Sequence, residues 1–259
     1  MFRLIDTAPA PGGYNMAVDE ALMQSVRGGA PPVLRFYRWQ PACLSLGRNQ
    51  PAAGVYDQQR ITEFGFDVVR RPTGGRAVLH RRELTYSVIV AEGLLGGLRE
   101  SYLRINRALA EGLRKLGVAV EVMMDAESAT PVPSAEPCFR DPVVGEVVAG
   151  GRKLIGSAQV REGGVMLQHG SLLLHDDQGM LAQLELNSAA ASAPPAAPAT
   201  LADLLHPLPE WEALTSALAA GWSEEFGADP RPDALSAEEC ARLPPLLRKH
   251  QDLEWIWRR

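Results

Sequence analysis

Hydrophobic residues along this chain repeat with two different periods. From Arg99 to Leu116 the apolar positions Tyr102, Leu103, Ile105, Leu109, Leu113 and Leu116 keep mostly helical spacing, and Gly117 follows as a stop, which predicts an amphipathic helix. A second helix is expected in the segment after Gly12, where Met16, Ala17, Ala21 and Leu22 share a spacing that fades at Gly28-Gly29. A third is expected from Tyr56 to Phe64. Shorter runs read as strands: Phe2 to Ile5, Val33 to Tyr37, Cys43 to Leu46, Asp67 to Arg70 and Leu84 to Val90. Further on, Val143 to Val148, Arg152 to Val160 and Val165 to Leu174 read as three consecutive strands joined at Gly150-Gly151 and Gly163-Gly164.

Two stretches interrupt these patterns. Residues Met124 to Pro137 mix Pro, Ser, Ala and Glu, as expected of an exposed loop that delivers Cys138. The stretch 188–200 is almost entirely Ala, Pro and Ser and is expected to be a flexible linker. It divides the chain into a catalytic part, 1–187, and a helical segment, 201–259, packing on the same domain. Within that segment Leu214, Ala217, Leu218 and Trp222 share a face, and Ser236 caps a short helix over Ala237 to Leu243. Pro244-Pro245 should separate that helix from a last segment ending in Trp255-Ile256-Trp257. Helices and strands alternate irregularly, with apparent hairpins between Val143 and Leu174, so the expected class is α+β, a mixed central β-sheet flanked by helices.

Composition narrows the function classes. The 259 residues carry a net charge of −5 without a basic block or stripe, so no nucleic-acid footprint is expected. No apolar run is long enough to span a bilayer, and no basic-then-apolar leader is evident at Met1, so a cytoplasmic setting away from membranes is expected. Cys43, Cys138 and Cys240 are widely spaced, odd in number and without a C-x-x-C pair, which points to reduced thiols and to no metal site.

Three clusters carry candidate chemistry. Arg70-Arg71-Pro72-Thr73-Gly74-Gly75-Arg76-Ala77-Val78-Leu79-His80 places guanidinium groups at a strand end before paired glycines, where a backbone can approach a phosphate or carboxylate. A Gly-Gly hairpin turn beside surface arginines is the plainer alternative. Gly151-Arg152-Lys153-Leu154-Ile155-Gly156-Ser157-Ala158-Gln159 sends a lysine into an apolar strand followed by small residues that leave room for a ligand chain. A desolvated ammonium there can hold a carbonyl oxygen or offset a thiolate, against the alternative of a solvated hairpin lysine. Pro137-Cys138-Phe139 supplies a thiol, whose thiolate is nucleophilic and whose thioester stays activated toward an amine, although a lone cysteine is more often buried filler. His80 and His169 are candidate base or orienting positions, or structural histidines.

In this order, R-F-Y-R-W-Q-P-A-C-L-S-L-G-R-N-Q from Arg35, R-R-P-T-G-G-R-A-V-L-H from Arg70, C-F at Cys138 and G-R-K-L-I-G-S-A-Q from Gly151 resemble the biotin/lipoate protein ligase superfamily, nearest to its cysteine-dependent octanoyltransferase branch. The resemblance runs from about Asn15 to Leu174. It implies a single domain with a mixed sheet and an acyl tunnel, and an enzyme that needs no cofactor. It further implies that Cys138 attacks an octanoyl thioester of acyl carrier protein and passes the acyl group to a lysine of a lipoyl-domain protein such as the glycine-cleavage H protein. Lys153 would position the acyl carbonyl, and Arg71, Gly74, Gly75, Arg76, His80, Gly156, Ser157, Ala158, Gln159 and His169 would bind substrate. Lipoate ligases that use ATP usually show a third glycine and an acidic residue where Arg76 and Arg81 stand here. Arg76 fits the transferase branch, and Arg81 fits neither pattern. The alternatives are an ATP-dependent lipoate ligase, a lipoyl amidotransferase working between lipoyl domains, and a non-enzymatic acyl- or biotin-sensing module.

Overall fold

The structure is a computed structural model that describes residues 1–124, 144–186 and 197–258. In chain order its elements are β1 (Arg3–Asp6), α1 (Gly12–Arg27), β2 (Val33–Tyr37), β3 (Cys43–Leu46), α2 (Gln58–Glu63), β4 (Asp67–Arg70), β5 (Val78–His80), β6 (Glu83–Ala91) and α3 (Leu98–Lys115). There follow β7 (Glu121–Val122), β8 (Val147–Ala149), β9 (Arg152–Glu162), β10 (Val165–Leu173), α4 (Leu181–Leu184), α5 (Leu201–Leu204), α6 (Trp211–Phe226), β11 (Arg231–Asp233), α7 (Ala237–Gln251) and α8 (Leu253–Trp257).

Among the described residues the strands form a large mixed sheet, ordered β11-β1-β2-β6-β10-β9-β8-β7, and a small one, β4-β3-β5. The sequence reading anticipated one central sheet. The second arises because β3 pairs with β4 and with β5, a three-residue strand too short to show a period. Strand β1 runs parallel to β2 and β11, whereas β2, β6, β10, β9 and β8 form antiparallel pairs.

Side chains alternate between the two faces along the central strands β2, β6 and β10 of the large sheet. Leu34, Phe36, Leu84, Tyr86 and Val88 enter the main core beneath α3 and α6, joined by Ile105, Leu109 and Leu113 from the former and Leu214, Leu218 and Trp222 from the latter. Val33, Ile89, Val165 and Leu167 point the other way, against Val18, Leu22 and Val26 of α1. Helix α3 thus follows its apolar stripe, and Gly117 succeeds it at φ +83°. The small sheet has its own core of Leu44, Leu46, Tyr56, Ile61, Leu79, Leu181, Leu184 and Ile256.

Several boundaries differ from the sequence reading. Helix α2 starts only after Asp57, whose side chain accepts from Arg60 N. Residues 144–146 do not continue a strand, because the chain turns at Gly145 and enters β8 at Val147. Of the expected loop, 125–137 lies outside the described residues. The prolines do not divide the penultimate helix: α7 runs through Pro244 and Pro245. A Ser236/Glu239 capping box starts it, Leu243, Leu246 and Leu247 pack on Ala17 and Ala21 of α1, and Lys249 and His250 reach Glu20. These contacts outweigh the missing N–H donors, a loss of about 3 kcal/mol for an interior proline. The expected linker, 188–200, lies mostly outside the described residues. Its last part is fixed, with Ala199 buried and its N–H donating to Lys153 O at 2.9 Å. No helix among the described residues is long and apolar enough to cross a membrane.

Helices α3 and α6 cross closely at Gly112, where a Cβ would lie 2.6 Å from Leu218 Cα and 2.7 Å from Ala217 O. Both are helix backbone and cannot swing aside. Gly112→Val should therefore lower stability by about 1–3 kcal/mol and the melting temperature by several degrees. An unchanged thermal transition would contradict this packing.

Candidate active site

Cross-strand register builds the site. Arg35, Ser87, His169 and Ala158 lie side by side across β2, β6, β10 and β9, and Tyr37, Thr85, Ser171 and Gly156 form the next row. Both rows occupy the α1 side of the sheet, so strands that are apolar toward α3 and α6 are polar here. The small residues at the β9 end leave space. A pocket of about 380 Å3, measured out to its mouth, lies there, lined by Met16, Trp39, Ser45, Val78 and Gly170 together with residues of these rows and of the Arg71 and His80 segments. The enclosed part of that space is only about 30 Å3, well below the size of a typical small-molecule site, and its wall mixes apolar surface with a few converging polar groups.

Beneath the first row is a buried ionic network. Asp19 of α1 is 2.7 Å from Arg35 Nη1, accepts from Ser87 Oγ at 2.9 Å and Tyr37 OH at 3.2 Å, and has His169 Nδ1 3.5 Å away. Burial alone would raise the Asp19 carboxyl, but Arg35 and His169 reverse this and hold it below its ordinary range. Arg35 is completed by Asn15 Oδ1 at 2.9 Å and Thr7 Oγ1 at 3.0 Å. Burial lowers His169 despite the nearby Asp19, favouring neutral imidazole, and its Nε2 meets Thr73 Oγ1 at 2.6 Å.

The arginine–glycine segment lies against this pocket. Arg71 lines it, yet its guanidinium donates to Ser45 O at 2.9 Å, Gly74 O at 2.9 Å and Arg76 O at 2.7 Å, folding the loop from within. Gly75 turns that loop at φ +95°, a conformation L side chains rarely take. Arg70 goes to the opposite side, donating to Gly47 O at 2.6 Å, Gln50 O at 2.9 Å and Ile256 O at 2.9 Å.

Of the substrate-binding residues expected from sequence, Arg71, His80, Gly156, Ser157, Ala158 and His169 come together in this one pocket. Gly74 and Gly75 are exposed, Arg76 is half-buried, and none of the three is part of the wall. Gln159 is also outside it, donating to Gln168 Oε1 at 3.0 Å; Gln168 in turn donates to Tyr86 OH, which shares a 2.7 Å hydrogen bond with Ser157 Oγ. Lys153 is buried on β9 itself, outside the pocket wall, and forms an ion pair with Glu146 at 2.7 Å. Cys138 lies outside the described residues. Cys43 is fully buried, and burial followed by the charges of Asp67 and Glu83 pushes its thiol well up, so it is a poor nucleophile. Cys240 is exposed on α7.

The sequence reading missed Asp19, Arg35, Glu83 and Glu146. One signal was available: Val33-Leu34-Arg35-Phe36-Tyr37 sets an arginine in the middle of an apolar strand, and a charge so placed calls for a buried partner.

The profile of the family described as the lipoyl protein ligase A/B catalytic domain matches residues 11–222. The chain is 41% identical over 277 residues to the octanoyltransferase LipM of Kyrpidia tusciae, covering 100% of this chain and 99% of that one. It is 35% identical to the octanoyltransferase LipM of Staphylococcus aureus, covering 100% and 99%. Among solved structures, a lipoate-protein ligase A bound with ATP superposes with a TM-score of 0.79 at 25% identity over 98% of each chain. A bipartite lipoate protein ligase from Thermoplasma acidophilum gives 0.78 at 25% identity, over 98% and 95%.

His169 gives the pocket a signature in stability. Its proton affinity is lowered on folding, so below the unfolded value of about 6.5 the unfolded chain takes up a proton that the folded chain refuses. The contribution is full above that pH and is lost as pH falls toward the folded value. Melting temperatures measured between about pH 7.5 and 5.5 should fall less steeply in His169→Gln than in the parent. Equal slopes would contradict a buried neutral imidazole.

Proposed function

Because the chain belongs to the lipoyl protein ligase A/B catalytic-domain family, we propose that it is an octanoyltransferase of lipoate biosynthesis, moving an octanoyl group from acyl carrier protein to a lipoyl-domain lysine through a thioester on Cys138. The observation that carries this reading is the pocket, whose Gly156 and Ala158 are small beside the apolar surfaces of Met16, Trp39 and Val78. A short saturated chain with one polar end suits such a wall. Cys43 is held as a neutral thiol and Cys240 stands on the outer helix, which supports Cys138 as the nucleophile.

In the first step the Cys138 sulfur attacks the acyl carbonyl carbon, a new C–S bond forms, and the carrier thiol departs with the electron pair and a proton. The Lys153 ammonium offsets negative charge on the thiolate and on the carbonyl oxygen as the bond forms. Glu146 holds that ammonium in the strand. In the second step a lysine amine displaces the sulfur, giving an amide. The glycine-cleavage H protein is an acceptor of suitable chemistry, and a reducing cytoplasm suits a thiol that must stay free between turnovers.

Incubation with octanoyl-acyl carrier protein and no ATP should give an acyl adduct in the intact mass spectrum, absent from Cys138→Ser and much slower to form in Lys153→Ala. Product that requires ATP and survives Cys138→Ser would sink the proposal and favour an acyl-adenylate ligase. Full activity in Lys153→Ala would remove that residue from the mechanism.

A further inference from the structure

A second cleft lies beside the pocket and differs from it in charge. The cationisable side chains on the pocket wall are already engaged by neighbours: Arg71 with the Ser45 and Gly74 carbonyls, His80 with Glu83 Oε1 at 2.7 Å, and His169 with Thr73. That wall suits an apolar chain better than an anion. The second cleft encloses about 140 Å3, and its wall sets three cations, Arg27, Arg48 and Lys249, against two carboxylates, Glu20 and Glu162.

These charges are not equally committed. Glu20 takes Lys249 at 2.8 Å on both oxygens and His250 at 3.0 Å on one. Arg27 donates from Nε to Gly163 O at 3.0 Å and from Nη2 to Glu162 O at 3.1 Å, carbonyls that leave its charge uncancelled. Arg48 Nη1 meets the Glu162 carboxylate at 2.9 Å, with 38% of the arginine side chain and 54% of the glutamate exposed. An exposed pair of this kind holds weakly. Glu162, at the tip of the hairpin joining β9 and β10, therefore occupies a place that an incoming anion can take. The Arg48 backbone is fixed from behind by Arg258, which stacks on Trp255 at 3.6 Å and donates to Arg48 O at 2.9 Å.

Both spaces are walled by the same elements. Helix α1 gives Met16 to the pocket and Glu20 and Arg27 to the cleft, β9 gives Ala158 and then Glu162, and Pro72 of the cleft adjoins Thr73, which holds His169 of the pocket. From Met16 to Arg27 the helix rises about 16 Å, and from Ala158 to Glu162 the strand rises about 13 Å. The two paths agree.

We propose that this cleft is the phosphate site of the acyl donor. A thioester on a phosphopantetheine arm places its acyl chain in the pocket and its phosphate ester between Arg27 and Arg48, displacing the Glu162 carboxylate. This rests on the transfer reading above and says how its donor is held. Guanidinium groups match phosphate oxygens in both geometry and charge, and an extended pantetheine chain has a reach of the order that separates the two spaces.

Binding of 4′-phosphopantetheine, pantetheine and AMP is measured without turnover, by ligand-observed NMR, on full-length parent, Arg48→Gln and Glu162→Gln proteins. The parent should bind 4′-phosphopantetheine roughly tenfold more tightly than pantetheine, and Arg48→Gln should remove most of that preference. Glu162→Gln, which removes the competing carboxylate, should tighten the phosphorylated arm several-fold. A merely structural role for the Arg48 and Glu162 pair would weaken binding in both variants, so the opposite signs carry the test. Equal affinity of the parent for the two arms, or no binding of either at millimolar concentration, would overturn the site. So would a preference that survives in Arg48→Gln, weaker binding in Glu162→Gln, or AMP bound as tightly as the phosphorylated arm. A parent that prefers the phosphorylated arm yet forms no acyl adduct would refute the transfer chemistry and leave the cleft standing, whereas an adduct without that preference would refute the cleft alone.

Discussion

The buried ion pair between Asp19 and Arg35 is the contact on which the site depends. It joins helix α1 to strand β2, and the same carboxylate takes in Ser87 of β6 and faces His169 of β10. From His169 the chain of contacts passes to Thr73, in the loop that joins β4 to β5 of the small sheet. Removing one member of a fully buried ion pair typically costs about 3–5 kcal/mol, because the other charge is left without compensation. Here the loss would also remove the polar tie between α1 and the sheet face where the pocket opens, leaving Val18, Leu22 and Val26 to hold the helix. Residues that position the pocket are thus the ones that hold its walls together.

A second arginine does comparable work at the edge of the small sheet. Arg70 is fully buried and donates to carbonyls from the turn after β3 and from the C-terminal residues Trp255, Ile256 and Arg258. The last helix is therefore tied to the segment that contains Arg71 and Gly75, while α6 completes the main core and β11 extends the sheet beside β1. Adjacent arginines in one motif serve two different backbones, Arg70 the C-terminal tail and Arg71 the glycine loop.

Much of the frame was legible because the relevant elements have one-sided surroundings. Helix α3 covers a sheet with one face and meets solvent with the other, so its period was visible; β9 and β10 were bounded by glycine pairs. Strand β11 was hidden, since Arg231-Pro232-Asp233 is exposed throughout and owes its conformation to pairing with β1. Helix α7 was misread at Pro244-Pro245 because local propensity pointed one way and packing against α1 the other. The small residues Gly156, Ser157 and Ala158 indicated the pocket through their size, a property local to the sequence. Asp19 and Glu83 gave no such sign, because their significance comes from partners on other strands that only the register brings near. Arg71 was found, but its donors turn inward to the loop where an anion contact was anticipated.

Two polar rows cross an otherwise apolar sheet and end at small residues on β9, and it is in the pocket there that the proposed acyl chain would lie. A crystal structure of the protein after reaction with an octanoyl thioester tests this most directly. The account predicts continuous density from Cys138 Sγ into the space bounded by Met16, Trp39 and Gly156. An acyl chain seated elsewhere, or carried on any group other than that sulfur, would contradict it.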